Sequence, residues 1–256
     1  MVFVLEILML DITAGSVIPL LIASITATTM AFMLRGFDPI LAVTLAPADA
    51  FELWQIPLFI LLGVLCGLMA WYFTSMNSRV GGFFKSIDKQ YKKWLWGGAI
   101  LGILIFVFPP LYGEGYEGFT SLMHGNAQEL FNNSLFYRFR DIDWVIILFV
   151  IATMFFKVIA MSTTNAAGGV GGTFAPSLSS EPSRAPRWRC VQHAVRMGGV
   201  VVSFTLVGMA GVMSGVMNAP LTSIFLIAEL SNGYGLFIPL MITACISFAV
   251  DYYLHP

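Results

Sequence analysis

Residues 168–176 read Gly168-Gly169-Val170-Gly171-Gly172-Thr173-Phe174-Ala175-Pro176, directly after an apolar stretch that ends near Thr164. Glycines in such a run let the chain turn tightly, because no Cβ stands in the way. Pro176 suits the first turn of a following helix, where its missing N–H would lack a partner in any case. The stretch therefore predicts a helix that stops at a glycine break and a second helix that starts just beyond it. Inside a bilayer, such a start gathers unpaired backbone N–H groups and the positive end of the helix dipole at one point, which favours an anion. A bare anion in hydrocarbon carries a penalty on the order of tens of kcal/mol. Amide hydrogen bonds to a charged group contribute about 1.5–3 kcal/mol each and offset part of that penalty without a fixed cation that would trap the ion. Gly171, Gly172, Thr173, Phe174, Ala175 and Pro176 are thus the candidate anion site, working through backbone donors with the Phe174 ring beside the path. No Lys-Ser or Lys-Thr pair follows the run, which excludes a phosphate-binding P-loop. Phe174 stands where a dinucleotide fingerprint needs its third glycine. A flexible linker between two spans fits the same glycines.

Working outward, the chain is 58% hydrophobic and only 11% charged, with a mean hydropathy of +0.83. Soluble domains carry about 25% charged residues, so the class is an all-α, polytopic transmembrane helix bundle. The net charge of −1 says nothing about nucleic acid, and no basic run interleaved with aromatics suggests it, so no nucleic-acid partner is expected; membrane lipid is the expected surrounding partner. The cysteines, Cys66, Cys190 and Cys245, have no metal-ligand spacing, and Cys66 and Cys245 read as packed thiols in apolar spans. Glu6 and Asp11 stand where a signal peptide would be basic. No Ser/His/Asp, Cys/His or paired-carboxylate arrangement of catalytic type stands out, so neither enzyme activity nor a cofactor is expected.

Residues 1–12 read as the tail of an apolar helix. Spans are predicted over 15–34, 56–78, 94–108, 144–164 and 235–250, the first of them charge-free and long enough to cross a membrane. The long uncharged run 200–228 is broken into two short helices by Asn218-Ala219-Pro220, the second closed by Glu229. The loop 36–55 holds Asp38, Asp49 and Glu52 and no Lys or Arg. By contrast, Arg79, Lys85, Lys89, Lys92 and Lys93 face only Asp88, so that loop is expected on the cytoplasmic side. Gly63/Gly67, Gly98/Gly102 and Gly211/Gly215 are small-xxx-small pairs of the kind that lets helices approach closely. Tyr252, Tyr253 and His255 read as an interfacial anchor.

An internal echo points to a transporter. Ile18-Pro19-Leu20-Leu21-Ile22 resembles Ile238-Pro239-Leu240-Met241-Ile242, and each follows an apolar segment closed by a glutamate, Glu6 and Glu229 respectively, although the distance from glutamate to proline differs by three residues and apolar sequence also yields chance matches. Repeated helix pairs separated by broken helices mark many secondary transporters. Glu6, Glu229 and Lys157 are the charged candidates for an ion or proton path, since intramembrane ionisable groups are functional by default. The plainer alternatives are helix-end carboxylates at the interface, and a lysine that snorkels or ties down a neighbouring loop.

Three blocks of the chain resemble the CLC family of chloride channels and chloride/proton antiporters. Lys157 with Gly171-Gly172-Thr173-Phe174-Ala175-Pro176 resembles the family's GGxFxP block and its upstream basic residue. Gly208-Met209-Ala210-Gly211 with Ala219-Pro220-Leu221-Thr222 through Glu229 resembles its late block, and residues 1–35 resemble the end of its helix H and its helix I. The resemblance implies an inverted-repeat architecture and chloride or a similar small anion as the transported ion. It implies anion coordination by the amides of Thr173 and Phe174, and a homodimer through residues 1–8, 15–35, 219–230 and 235–250. A bacterial inner membrane is the expected location. It covers only about the second half of the family's membrane domain. The GSGIP and GxEGP segments are missing, and Ile7 stands at the family's internal proton-transfer glutamate. The implied organisation is residues 1–178 as the first part of the domain, residues 200–256 as the rest, and an aberrant polar segment at 179–199 where the family has an apolar helix. That segment, Ser179-Ser180-Glu181-Pro182-Ser183, is what codons for Phe-Val-Gly-Ala-Phe give when read one base late, so it reads as a frame shift or else as a genuine insertion. Other readings left open are a secondary transporter for another anion and an inert, dimerising membrane chain.

Overall fold

The structure, a computed structural model, describes residues 6, 14–35, 53–112, 143–169, 171–172, 200–230 and 234–255. The expected acidic loop over 36–52, the polar stretch 113–142 and the segment 179–199 lie outside the described residues. Everything with regular structure among the described residues is helical, as the composition predicts.

Helix α1 spans Ala14–Arg35 and carries Pro19 in its second turn. Two of its hydroxyls are satisfied within the helix: Thr26 Oγ1 donates to the Ile22 carbonyl at 2.8 Å, and Thr29 Oγ1 to Ile25 at 2.8 Å. A threonine paired in this way can face lipid without an orphan donor. Much of the rest of the surface is bare hydrocarbon, including Ile25, Met33 and Leu34.

After a 3-10 turn at Leu53–Gln55, α2 runs Ile56–Lys85 with a proline in its first turn. Here the expected boundary is corrected. The basic stretch from Arg79 does not open a loop; the helix continues two turns to Lys85, and the connection shrinks to Ser86–Lys89. Cations at a helix C-terminus complement the dipole, so the same charges that mark a membrane boundary also extend the helix. The Ser86 hydroxyl donates to the Phe83 carbonyl at 2.7 Å as the helix closes. Helix α3, Gln90–Val107, stops at Phe108 because Pro109 and Pro110 cannot continue it; a 3-10 turn at Pro109–Leu111 follows.

Helix α4 covers Asp143–Ala166. The uncharged run beyond residue 200 splits where the sequence predicts, into α5 (Val200–Met217) and α6 (Pro220–Leu230). Asn218 makes the break with φ 52, a left-handed conformation that asparagine tolerates better than most residues, and Pro220 opens the next helix. Helix α7, Phe237–Leu254, completes the set.

The core is the seam where α2, α5 and α7 pack on one another; α6 lies on α5 and α7, while α4 bridges α2 and α3. Glycines make the seam close. A Cβ placed on Gly67 would stand 2.6 Å from Val250 Cβ, and one on Gly215 would stand 2.5 Å from Ala70 Cβ. At Gly63 it would meet Ile246 at 3.0 Å, and at Gly211 Thr243 at 2.9 Å. Two of the three expected small-residue pairs therefore sit at helix contacts. The third does not: around Gly98 and Gly102 there is nothing within 4 Å among the described residues. Polar side chains fasten the same seam. Ser214 Oγ donates to the Ala244 carbonyl at 2.9 Å, Thr243 Oγ1 to Phe59 at 3.2 Å, and Cys66 Sγ to Gly208 at 3.5 Å. Cys66 is buried as expected, but Cys245 is exposed on α7, so it is not the packed thiol that its apolar surroundings imply.

Candidate functional site

The glycine break after α4 has a defined geometry. Gly169 N–H donates to the Thr164 carbonyl at 2.9 Å and Gly168 N–H to Asn165 at 3.2 Å. This crossed pair is the Schellman ending, in which the residue just past the helix adopts positive φ. Gly168 has φ +99, which fits glycine and strains any side chain. The turn is also pressed against α3: a Cβ on Gly168 would lie 2.7 Å from Gln90 Nε2 and 3.2 Å from Trp94 Nε1. One turn further along α3, Gly97 makes room for Ala167. The break is thus a tightly seated helix stop, which disfavours the flexible-linker reading of these glycines. Beyond it, Gly171 and Gly172 are exposed, with the Asn165 Oδ1 beside Gly171, 2.8 Å from where its Cβ would stand. Thr173, Phe174, Ala175 and Pro176, the remainder of the predicted anion site, lie outside the described residues.

Lys157 is buried in α4, and its Nζ donates to the Leu111 carbonyl at 3.2 Å. It holds the proline turn after α3 against α4, where Phe108 packs on Phe149 and Phe156. This is the loop-fastening role weighed from the sequence.

Glu6 is helical and half-buried. Its carboxylate accepts two backbone N–H groups at the start of α6, from Leu221 at 2.9 Å and from Thr222 at 2.6 Å. Those amides have no intrahelical partner, and a carboxylate there also meets the positive end of the helix dipole. A helix start in this protein therefore does hold an anionic group, and the anion is the chain's own side chain. Glu229, at the other end of α6, is exposed. Among the described residues the predicted site residues do separate jobs: Lys157 fastens the turn after α3 to α4, and Glu6 binds the start of α6.

The sequence reading passed over a buried polar patch on α7. Asp251 and Ser247 lie on one face four residues apart, both buried, and neither Asp251 Oδ1 nor Ser247 Oγ has a hydrogen-bond partner among the described residues. Both face Gly215, whose Cβ would come within 3.2 Å of Ser247 Oγ and 3.6 Å of Asp251 Cβ. Just beyond, Ser75 Oγ and His255 Nε2 are 3.3 Å apart. An acid inside an apolar helix was the available signal; it was hidden by the adjacent tyrosines, which read as an interfacial end.

A bundle of apolar helices, broken within the membrane-like core and closed by glycine and proline stops, defines an integral membrane protein of the transporter and channel class. The family model for voltage gated chloride channels matches residues 1–252, and the chain belongs to that family. It is a family of ion channels and exchangers, not of enzymes. Among its relatives, the chain is 28% identical over 249 residues to a putative chloride channel protein ClcB-like of Ralstonia nicotianae, covering 96% of this chain and 53% of that protein. It is 29% identical over 221 residues to the H(+)/Cl(-) exchange transporter ClcA of Salmonella paratyphi B, covering 82% and 41%. Its fold matches the crystal structure of a slow cyanobacterial Cl-/H+ antiporter with a TM-score of 0.73 and 24% identity, over 99% of this chain and 57% of the other. The chain spans about half the length, or less, of the curated relatives it matches.

Proposed function

We propose that this chain forms part of an assembly that moves chloride or a similar small anion across a bacterial inner membrane. The observation that supports this most is the Schellman stop at Gly168 and Gly169, seated directly ahead of Gly171-Gly172-Thr173-Phe174-Ala175-Pro176. A rigid stop fixes where the next segment begins, which is what a binding site built from backbone donors requires. The amides of Thr173 and Phe174 then coordinate the ion, Gly171 and Gly172 bring the backbone close, and Pro176 starts the helix whose dipole faces it. Lys157 fastens the turn after α3 to α4, at the end of α3 away from the one that meets the break. Glu6 lies off the ion path in this reading; its carboxylate binds the two amides at the start of α6.

In this account residues 1–178 and 200–256 are parts of one membrane domain, with 179–199 an aberrant segment between them. The bare apolar surface of α1, together with residues 1–8, 219–230 and 235–250, forms the homodimer face. The basic end of α2 lies on the cytoplasmic side. Because the chain matches about half of its relatives' length, transport is assigned to the assembled domain. Reconstituted alone into chloride-loaded vesicles, residues 1–256 should release no more chloride than empty liposomes. Vesicles that also contain the unmatched part of the ClcB-like relative, co-expressed with this chain, should release chloride when counter-charge is provided. Fast release by the chain alone, or none from the co-assembled pair, contradicts the proposal.

A further inference from the structure

The end of α3 that meets the glycine break carries an unpaired cation. Gln90, Lys93, Trp94 and Gly97 follow i, i+3, i+4 and i+7 spacing, so they share one face of α3. Three of the four meet the end of α4: the Gln90 amide and the Trp94 indole nitrogen crowd Gly168, and Gly97 makes room for Ala167. The fourth, Lys93, is half-buried on that face, and no carboxylate pairs with it among the described residues. Its neighbours strengthen the field. Residues 79–93 also hold Arg79, Lys85, Lys89 and Lys92, against Asp88 alone. Lys89 Nζ lies over the Tyr91 ring, 5.9 Å from its centroid, so Lys93 is the cation on the face that seats the stop.

A membrane boundary accounts for cations somewhere in this connection, and those at the end of α2 also suit its dipole. It does not account for Lys92 and Lys93. Both stand in the first turn of α3, where a cation opposes the dipole, with no acid in that turn and no side-chain cap. An arrangement unfavourable to the helix itself, set against a stretch that favours anions, points to the anion. Fixed cations around a cleft raise the local concentration of counter-ions and speed their arrival roughly 10–10³-fold. We propose that Lys93, with Lys89 and Lys92 around it, draws the small anion to the glycine break and sets the rate at which it reaches Gly171-Gly172-Thr173-Phe174-Ala175-Pro176. The inference rests on the reading of that stretch as an anion site. It gives Lys93 the path role that the sequence suggested for Lys157, whose Nζ binds the Leu111 carbonyl instead.

Trp94 reports on anions at this spot, because iodide quenches indole fluorescence on contact. In the full chain with Trp54, Trp71, Trp96, Trp144 and Trp188 replaced by phenylalanine, held in neutral detergent without lipid, quenching by iodide is compared with quenching by uncharged acrylamide. At about 20 mM ionic strength, Lys93→Gln should lower the iodide-to-acrylamide ratio about threefold, and Lys93→Arg should keep it. The difference should vanish near 1 M salt, where the screening length is about 3 Å. With all tryptophans in place, chloride release by the co-assembled pair should slow about threefold with Lys93→Gln at low salt. An unchanged ratio, an equal fall with acrylamide, or full-speed release from the Lys93→Gln pair would each overturn the inference. So would loss of iodide access on adding phosphatidylglycerol and not phosphatidylcholine, which would assign the lysines to a lipid headgroup. A lowered ratio with no release from any pair would support anion gathering by Lys93 and contradict the chloride reading of the whole domain.

Discussion

At Gly67 and Gly215 a single methyl group has nowhere to go. The nearest atoms are Cβ atoms and backbone oxygens of packed helices, such as Ser247 O at 3.0 Å from the position a Gly67 Cβ would take, and these cannot swing aside as a long side chain can. Gly67→Ala or Gly215→Ala should therefore cost about 1–3 kcal/mol of stability, read as a lower midpoint in thermal unfolding of the detergent-solubilised protein. Gly102→Ala is the contrast. With nothing among the described residues within 4 Å of its would-be Cβ, the change should be neutral or stabilise by up to about 1 kcal/mol through helix propensity. Equal losses at all three positions would show that glycine at the seam is not a packing device. Glu6 gives a second residue-scale prediction. Glu6→Gln keeps an acceptor but removes the charge opposite the start of α6, and should cost about 1–2 kcal/mol. Hydrogen exchange at the Leu221 and Thr222 amides should quicken selectively; protection unchanged at both would contradict the contact. The small-residue pairs were legible in the sequence as motifs, yet the motif alone could not separate Gly63/Gly67 from Gly98/Gly102. Which face of a helix meets a neighbour depends on the partner's position, and i,i+4 spacing holds no information about that.

The helix breaks show how far local chemistry carries. Asn218-Ala219-Pro220 and Pro109-Pro110 act by backbone geometry alone, and the structure ends its helices there. The stop at Gly168 was legible for the same reason, since only glycine accepts that φ without strain. Gly168→Ala should cost about 1–3 kcal/mol from the backbone conformation and should also push Gln90 and Trp94 off the turn. A drop in unfolding midpoint accompanied by a change in tryptophan fluorescence would bear this out, and an unchanged midpoint would argue that the Schellman turn does not form. Charge carried less certain information. Arg79 and Lys85 read as a loop because positive residues mark membrane boundaries, but they also suit a helix C-terminus, and α2 runs through both. Asp251 was missed at this scale: the tyrosines after it suggest an interface, while its burial depends on Gly215 of α5, more than thirty residues away in sequence.

For the whole molecule, the hydropathy and the three sequence blocks gave the fold class and the family, and both the family match and the fold match agree. Non-local facts were not legible: that α2, α5 and α7 form the central seam, that Lys157 fastens the Leu111 carbonyl, and that Glu6 is the anion held at the start of α6. Each depends on a contact across a large sequence separation, where no local rule applies. The proposed anion movement requires backbone amides just after the glycine stop to hold a small anion within the bilayer. Crystals of the chain co-assembled with the unmatched part of its ClcB-like relative, grown with bromide in place of chloride, test it directly by anomalous diffraction. The expected result is a bromide peak within hydrogen-bonding distance of the Thr173 and Phe174 nitrogens, in a hollow between helices. Those two residues in bulk solvent, with no peak beside them, would contradict it.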